Sequence, residues 1–159
     1  TVYRLTLART YQQLQETEKA ITEYRNVLAI EPGNLKALQQ LVDNELSLNR
    51  PEAAIDLLKE AIVKSEEANK IKPNSADVAS VKLFLGDTYL QLKRFKEAEE
   101  TYRAVQEIDP KDFRPVLGQA FIKRELQQAE EAQKLFAKAK EMAPEQFHSR
   151  IDELAKPEK

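Results

Sequence analysis

The chain has no cysteine and no tryptophan, a single histidine and a single methionine, and only three glycines among 159 residues. Without cysteine there is neither a disulfide framework nor a thiolate metal site, and the redox state of the compartment leaves no trace. One histidine, His148, with no second histidine or cysteine to join it, makes no recognisable metal or nucleophile site, and it reads as a surface or packing residue. With so little glycine there is no phosphate cradle, and Pro32-Gly33-Asn34 reads as turn chemistry. An excess of basic charge is also missing. Twenty-five Lys and Arg are interspersed with 27 Asp and Glu, giving a net charge of −2 and none of the basic stripe that phosphate neutralisation demands, so nucleic acid is not an expected partner. No apolar run approaches the ~20 residues that cross a bilayer, so this segment is expected to make no membrane contact and to be soluble and intracellular. It starts at Thr1 inside a helical pattern, so it reads as a fragment of a longer protein whose targeting, anchoring or further repeat units are missing.

What is abundant is helix-forming material, Ala, Leu, Glu, Lys and Gln, in a chain that is 42% hydrophobic and 33% charged. This apolar and charged material is periodic. Anchor alanines Ala20, Ala54, Ala98 and Ala132 lie 34, 44 and 34 residues apart. Four residues after each comes a large apolar side chain, Tyr24, Leu58, Tyr102 and Phe136, and three further on a slim one, Val27, Ala61, Val105 and Ala139. Twelve residues before each anchor stand Ala8, Val42, Gly86 and Ala120. Leu7, Tyr11 and Leu14 recur at helical spacing, and Ala20, Tyr24, Val27 and Leu28 repeat the pattern on a second helix that Pro32 helps to stop. Each unit is therefore a helix pair that cannot bury its own stripe and must stack on a neighbour.

The small residue at Ala8, with Tyr11, Ala20, Tyr24, Val27 and Pro32, resembles the tetratricopeptide repeat, and the resemblance covers residues 1–146. It implies an all-α, right-handed solenoid of four helix pairs forming a single domain, with repeats at 1–34, 35–68, 79–112 and 113–146. An insertion at 69–78 would follow an overlong helix running from about Glu52 to about Lys70. Asn74 or Ser75 would cap the next helix. Phe147, Ile151 and Leu154 would form one face of a terminal helix, 147–156, capping the last repeat. The slot of Tyr11 departs from the pattern, being Glu45 in the second unit and Lys123 in the fourth.

In this family the first helices line a concave wall, and that resemblance places a partner-binding groove at Leu5, Arg9, Gln12 and Gln13, at Gln40 and Asp43, at Leu83, Phe84 and Asp87, and at Leu117, Phe121 and Arg124. Leu83, Phe84, Leu117 and Phe121 are apolar where a solvated wall would be polar, the mark of a partner patch. Arg9, Asp43, Asp87 and Arg124 would supply directional polar contacts around it. The opposing expectation is that some of these side chains pack on the next unit. A subset of the family grips a chaperone's C-terminal carboxylate with a Lys/Asn/Asn/Lys/Arg clamp. Those slots fall here on Leu5, Arg9, Gln40, Ser80 and Phe84, which speaks against the clamp. Carboxylate pairs such as Glu66-Glu67 and Glu130-Glu131 stand beside Lys at helical spacing and read as solvated faces rather than acid–base pairs. The expectation is a non-enzymatic module without cofactor or metal, binding an extended segment or helix of a protein or peptide partner as an adaptor or assembly factor. The alternative is a structural scaffold that self-associates within a larger complex.

Overall fold

A computed structural model describes residues 1–72 and 77–156. It contains α1 (Val2–Gln13), α2 (Thr17–Ile30), α3 (Leu35–Ser47), α4 (Pro51–Ile71), α5 (Val78–Gln91), α6 (Phe95–Ile108), α7 (Arg114–Glu125), α8 (Ala129–Met142) and α9 (His148–Leu154), the last entered through a 3-10 turn at Glu145–Phe147. There is no strand among the described residues. The fold forms two compact units, Thr1–Val81 and Lys82–Lys159.

One local device builds every helix pair. The first helix ends in a residue with left-handed backbone, at Gln15 (φ 59°), Asn49 (56°), Lys93 (58°) and Gln127 (58°). Around it the same two hydrogen bonds close the helix end. The amide of Glu16 donates to Tyr11 O at 2.9 Å and that of Gln15 to Gln12 O at 3.0 Å, and the equivalent bonds recur at Arg50, Arg94 and Gln128. This is the Schellman arrangement, which satisfies carbonyls that a helix end would otherwise leave orphaned. None of the four residues is glycine.

The first unit packs α1 on α2, α2 on α3 and α3 on α4. Its core brings Ala8, Ala20, Tyr24, Val27, Ala37 and Leu41 together, with Leu5, Tyr11, Ile21, Leu28 and Leu57 packed against them. Helix α3 opens at Asn34, whose side chain accepts the Ala37 amide at 3.2 Å, and α4 opens at Pro51, where a missing N–H costs nothing. The expected overlong helix is α4, 21 residues ending at Ile71. The expected caps Asn74 and Ser75 lie outside the described residues. Asp77 performs a capping role for α5, accepting the Ser80 amide at 3.0 Å and the Ser80 hydroxyl at 2.6 Å.

In the second unit the ring of Tyr102, fully buried, is clamped between two glycines. A Cβ on Gly86 would come within 2.6 Å of that ring, and one on Gly118 within 2.3 Å. Neither glycine has a positive φ, so both serve close approach rather than backbone freedom. At the end of the chain α8 packs on α7 and α9 on α8. Ile151 of α9 is buried with Ala120, Ala132, Phe136 and Ala143, and Leu154 packs alongside. Phe147 precedes α9 rather than lying on it. Its ring is tilted against Phe113 at 5.3 Å while 40% of the residue stays exposed.

Candidate interaction surface

Four of the residues that sequence places on the binding wall converge in the first unit. Leu5, Arg9 and Gln12 of α1 and Gln40 of α3 line a groove of about 350 Å³, joined by Tyr24, Leu35, Lys36 and Gln39. The groove exists because short slim residues, Ala8 and Ala37, let α1 and the helices beside it approach, leaving longer side chains to stand up as walls. Its polar floor is ordered from behind. The buried Tyr24 ring reaches through so that its hydroxyl donates to Gln12 Oε1 at 2.6 Å, and Gln12 Nε2 donates to Gln40 Oε1 at 2.5 Å. Burial raises the Tyr24 hydroxyl pKa above its ordinary value, and the nearby Arg9 guanidinium partly offsets that rise. Arg9 and Lys36 are both exposed cations, and among the described residues no carboxylate lines the groove.

Gln13 and Asp43 stand outside that lining. Gln13 is exposed, and Asp43 is exposed while accepting the Gln39 side-chain amide at 2.9 Å. Tyr24 and Leu35 contribute although sequence reading did not select them for the wall. The signal for Tyr24 was present, since an aromatic residue four positions after an anchor alanine carries a hydroxyl past the core it fills.

In the second unit Leu83 and Phe84 are half-buried on α5. Asp87 is exposed at the residue level, and its Oδ1 accepts the Tyr102 hydroxyl at 2.7 Å. Crowding by protein atoms raises the Asp87 carboxyl above the usual carboxylate range, against the lowering influence of that hydrogen bond and of Arg114. Burial likewise drives the Tyr102 hydroxyl far above its ordinary value, with the Asp87 charge adding to the rise. Leu117 and Phe121 are half-buried and pack on the cluster that Ile151 and Leu154 complete. Phe121 meets Phe136 edge-on at 5.4 Å. The Arg124 guanidinium lies 4.9 Å from the Phe121 ring centre and donates to Leu154 O at 2.9 Å, tying α7 to the terminal helix. These three side chains thus pack against the end of the chain, the alternative that the apolar wall positions left open.

Among the described residues no group of three or more His, Asp or Glu is placed to hold a metal ion, and no helix is long and apolar enough to cross a membrane. His148 Nε2 lies 2.9 Å from Ala143 O, at the entry to the terminal helix.

Stacked helix pairs with slim contact residues, uniform left-handed turns and a terminal helix over the last pair define an all-α repeat solenoid, a class built to hold other proteins. Sequence profiles of the tetratricopeptide repeat match residues 3–34 and 40–113, and the chain belongs to that family. Its members are typically non-enzymatic protein–protein interaction modules. The chain is similar to the protein SLOW GREEN 1, chloroplastic, of Arabidopsis thaliana, with 30% identity over 95 residues, which is 60% of this chain and 29% of that protein. It thus spans less than a third of the length of this curated relative. In fold it is similar to the crystal structure of MamA, with a TM-score of 0.57 at 24% identity over 87% of this chain and 75% of that one. It is similar also to YrrB, described as a TPR protein with an unusual peptide-binding site, with a TM-score of 0.53 at 16% identity over 96% of this chain and 72% of that one.

Proposed function

We propose that this chain docks an extended segment or helix of a partner protein against its first helices, serving as an adaptor or assembly factor. The observation that carries this reading is the groove between α1 and α3, where Arg9 and Lys36 stand exposed without a lining carboxylate and Gln12 and Gln40 are already held in place. Groups that need no reordering on binding lose less entropy, and such sites gain affinity for that reason. The repeats at 1–34, 35–68, 79–112 and 113–146, with the insertion at 69–78 and the terminal helix, are proposed to act as one binding domain. Leu83, Phe84 and Asp87 would extend the recognition surface on the second unit. The test is affinity capture with the intact protein and with an R9E/K36E double variant, read by mass spectrometry. Both residues are exposed, so helicity and melting should be unchanged while the captured partner is lost. Retention of the same partner by the folded double variant would overturn the reading.

Self-association is the second reading, favoured by one observation. Tyr3, Leu7, Thr10 and Leu14 follow one face of α1, and Tyr3 and Leu14 are 77% and 62% exposed. Light scattering across a concentration series separates the two readings. A concentration-dependent mass that Tyr3→Ser abolishes supports self-association, and a constant monomer mass removes it.

A further inference from the structure

The position that closes each helix pair alternates in character along the chain. In the first and third pairs it is aromatic, Tyr11 and Tyr89. In the second and fourth it is charged, Glu45 and Lys123. A charge in a packing slot needs counter-charges, because desolvating it alone is costly. Lys123, with 25% of its side chain exposed, has them: Glu131 Oε2 lies at 3.3 Å and Glu99 Oε1 at 3.8 Å. Glu45 does not. Its side chain is more deeply placed, 19% exposed, and among the described residues its one counter-charge within 4 Å is the largely exposed Arg50, at 4.0 Å.

Where a tyrosine would fill the seam, the glutamate leaves it open. A groove of about 540 Å³ runs between α2 and α4 with α3 beneath. Leu28, Leu41, Leu57 and Ala61 give it apolar walls, and Asp56 and Glu60 join Glu45 as carboxylates along it. Two cations, Arg25 and Lys64, also reach it, but Lys64 is bound to Glu60 at 2.6 Å. This groove shares no lining residue with the one between α1 and α3.

We propose that the α2–α4 groove is a second docking surface, which receives a lysine- or arginine-bearing segment of a partner protein. The aliphatic stem of the inserted side chain lies along Leu28, Leu41 and Leu57, and its charged head meets Glu45 and Asp56. The partner thereby supplies to Glu45 what Glu99 and Glu131 supply to Lys123. Basic, apolar-flanked segments fit the site, and acidic ones are repelled by it.

The probe is an acetylated, amidated peptide of sequence Ala-Leu-Lys-Ala-Leu-Lys-Ala, titrated into the full chain and followed by amide chemical shifts. Saturable shifts centred on Leu41, Glu45, Leu57 and Ala61 are expected, weakening as salt is added. Glu45→Gln should weaken binding about tenfold, and Glu45→Tyr, which rebuilds the filled seam of the first pair, should remove saturation. The R9E/K36E variant should bind this peptide as the wild type does, so failure here and failure of the α1–α3 reading are separately visible. Equal binding by wild type and the Glu45→Gln variant, shifts centred elsewhere, or no saturation by the wild type would each overturn the proposal.

Discussion

Arg114 stands near two carboxylates whose environments push them in opposite directions. Burial of Asp112 by itself would raise its carboxyl, but hydrogen bonds from the Arg114 side chain and amide prevail and lower it. Asp87 is raised, because crowding outweighs its hydrogen bond from Tyr102 and the pull of Arg114. The consequences for stability have opposite signs. The contribution of Asp112 is present above the ordinary aspartate pKa and is lost as pH falls through its lowered folded value. That of Asp87 is full below the ordinary value and is lost as pH rises through its raised folded value. Asp112→Asn should therefore cost about 1–3 kcal/mol in urea unfolding at neutral pH, the usual worth of charge-assisted hydrogen bonds. Asp87→Asn keeps an acceptor for the Tyr102 hydroxyl, so it should leave neutral-pH stability equal or higher and remove that residue's pH dependence. A second pair of measurements concerns the clamped ring. Gly118→Ala should destabilise by about 1–3 kcal/mol through overpacking, although alanine is the better helix former. In a Tyr102→Leu background the same change should be neutral or favourable, and additive effects would show that the clamp is not tight.

At the scale of the helix pair, four turns pay for left-handed backbone with ordinary side chains. That conformation costs an L-residue roughly 1–2 kcal/mol relative to its favoured region, and glycine escapes it. Gln15→Gly, Lys93→Gly and Gln127→Gly should each raise the melting midpoint, by an amount equivalent to about 0.5–1 kcal/mol after glycine's own entropy is counted. Asn49→Gly should gain less, since asparagine tolerates the region best. These turns also mark what sequence reveals and what it hides. The anchors Ala20, Ala54, Ala98 and Ala132 and the residues four and seven positions after them are all buried, as their 34, 44 and 34 spacing demands. The turns keep the same rhythm, but without glycine nothing in the residue types announced them. The extent of α4 was legible because Glu66 stands in the slot where the other units have proline, so nothing stops the helix there. The candidate site was legible in part. Leu5, Arg9, Gln12 and Gln40 could be read as a wall only through the family resemblance, which puts first-helix positions there; spacing alone does not single them out. The resemblance puts Phe121 and Leu117 on the wall, but a wall patch and a seam under the next helix ask for the same apolar residues, and both lie half-buried against the cluster that α9 completes.

Across the whole molecule, the strong helix contacts within each unit join neighbours in the chain: α1 with α2, α2 with α3, α3 with α4, then α6 with α7, α7 with α8 and α8 with α9. Stability in such an array is close to a sum of local and nearest-neighbour terms, so damage should stay near where it is made. Ile151→Ala removes a buried side chain at the end of that sequence and should cost about 2–4 kcal/mol. Hydrogen exchange should then show lost protection in α7, α8 and α9 with α1, α2 and α3 unchanged. A uniform loss along the chain would mean that the array unfolds as one block. The clamp on Tyr102 carries a different kind of consequence, one for ancestry rather than for the test tube. A lineage that drifts at Gly86, Tyr102 or Gly118 alone is caught by the other two, so in an alignment these three columns should vary as a set or stay fixed. A relative with bulkier residues in place of both glycines should carry a slimmer one where the tyrosine stands.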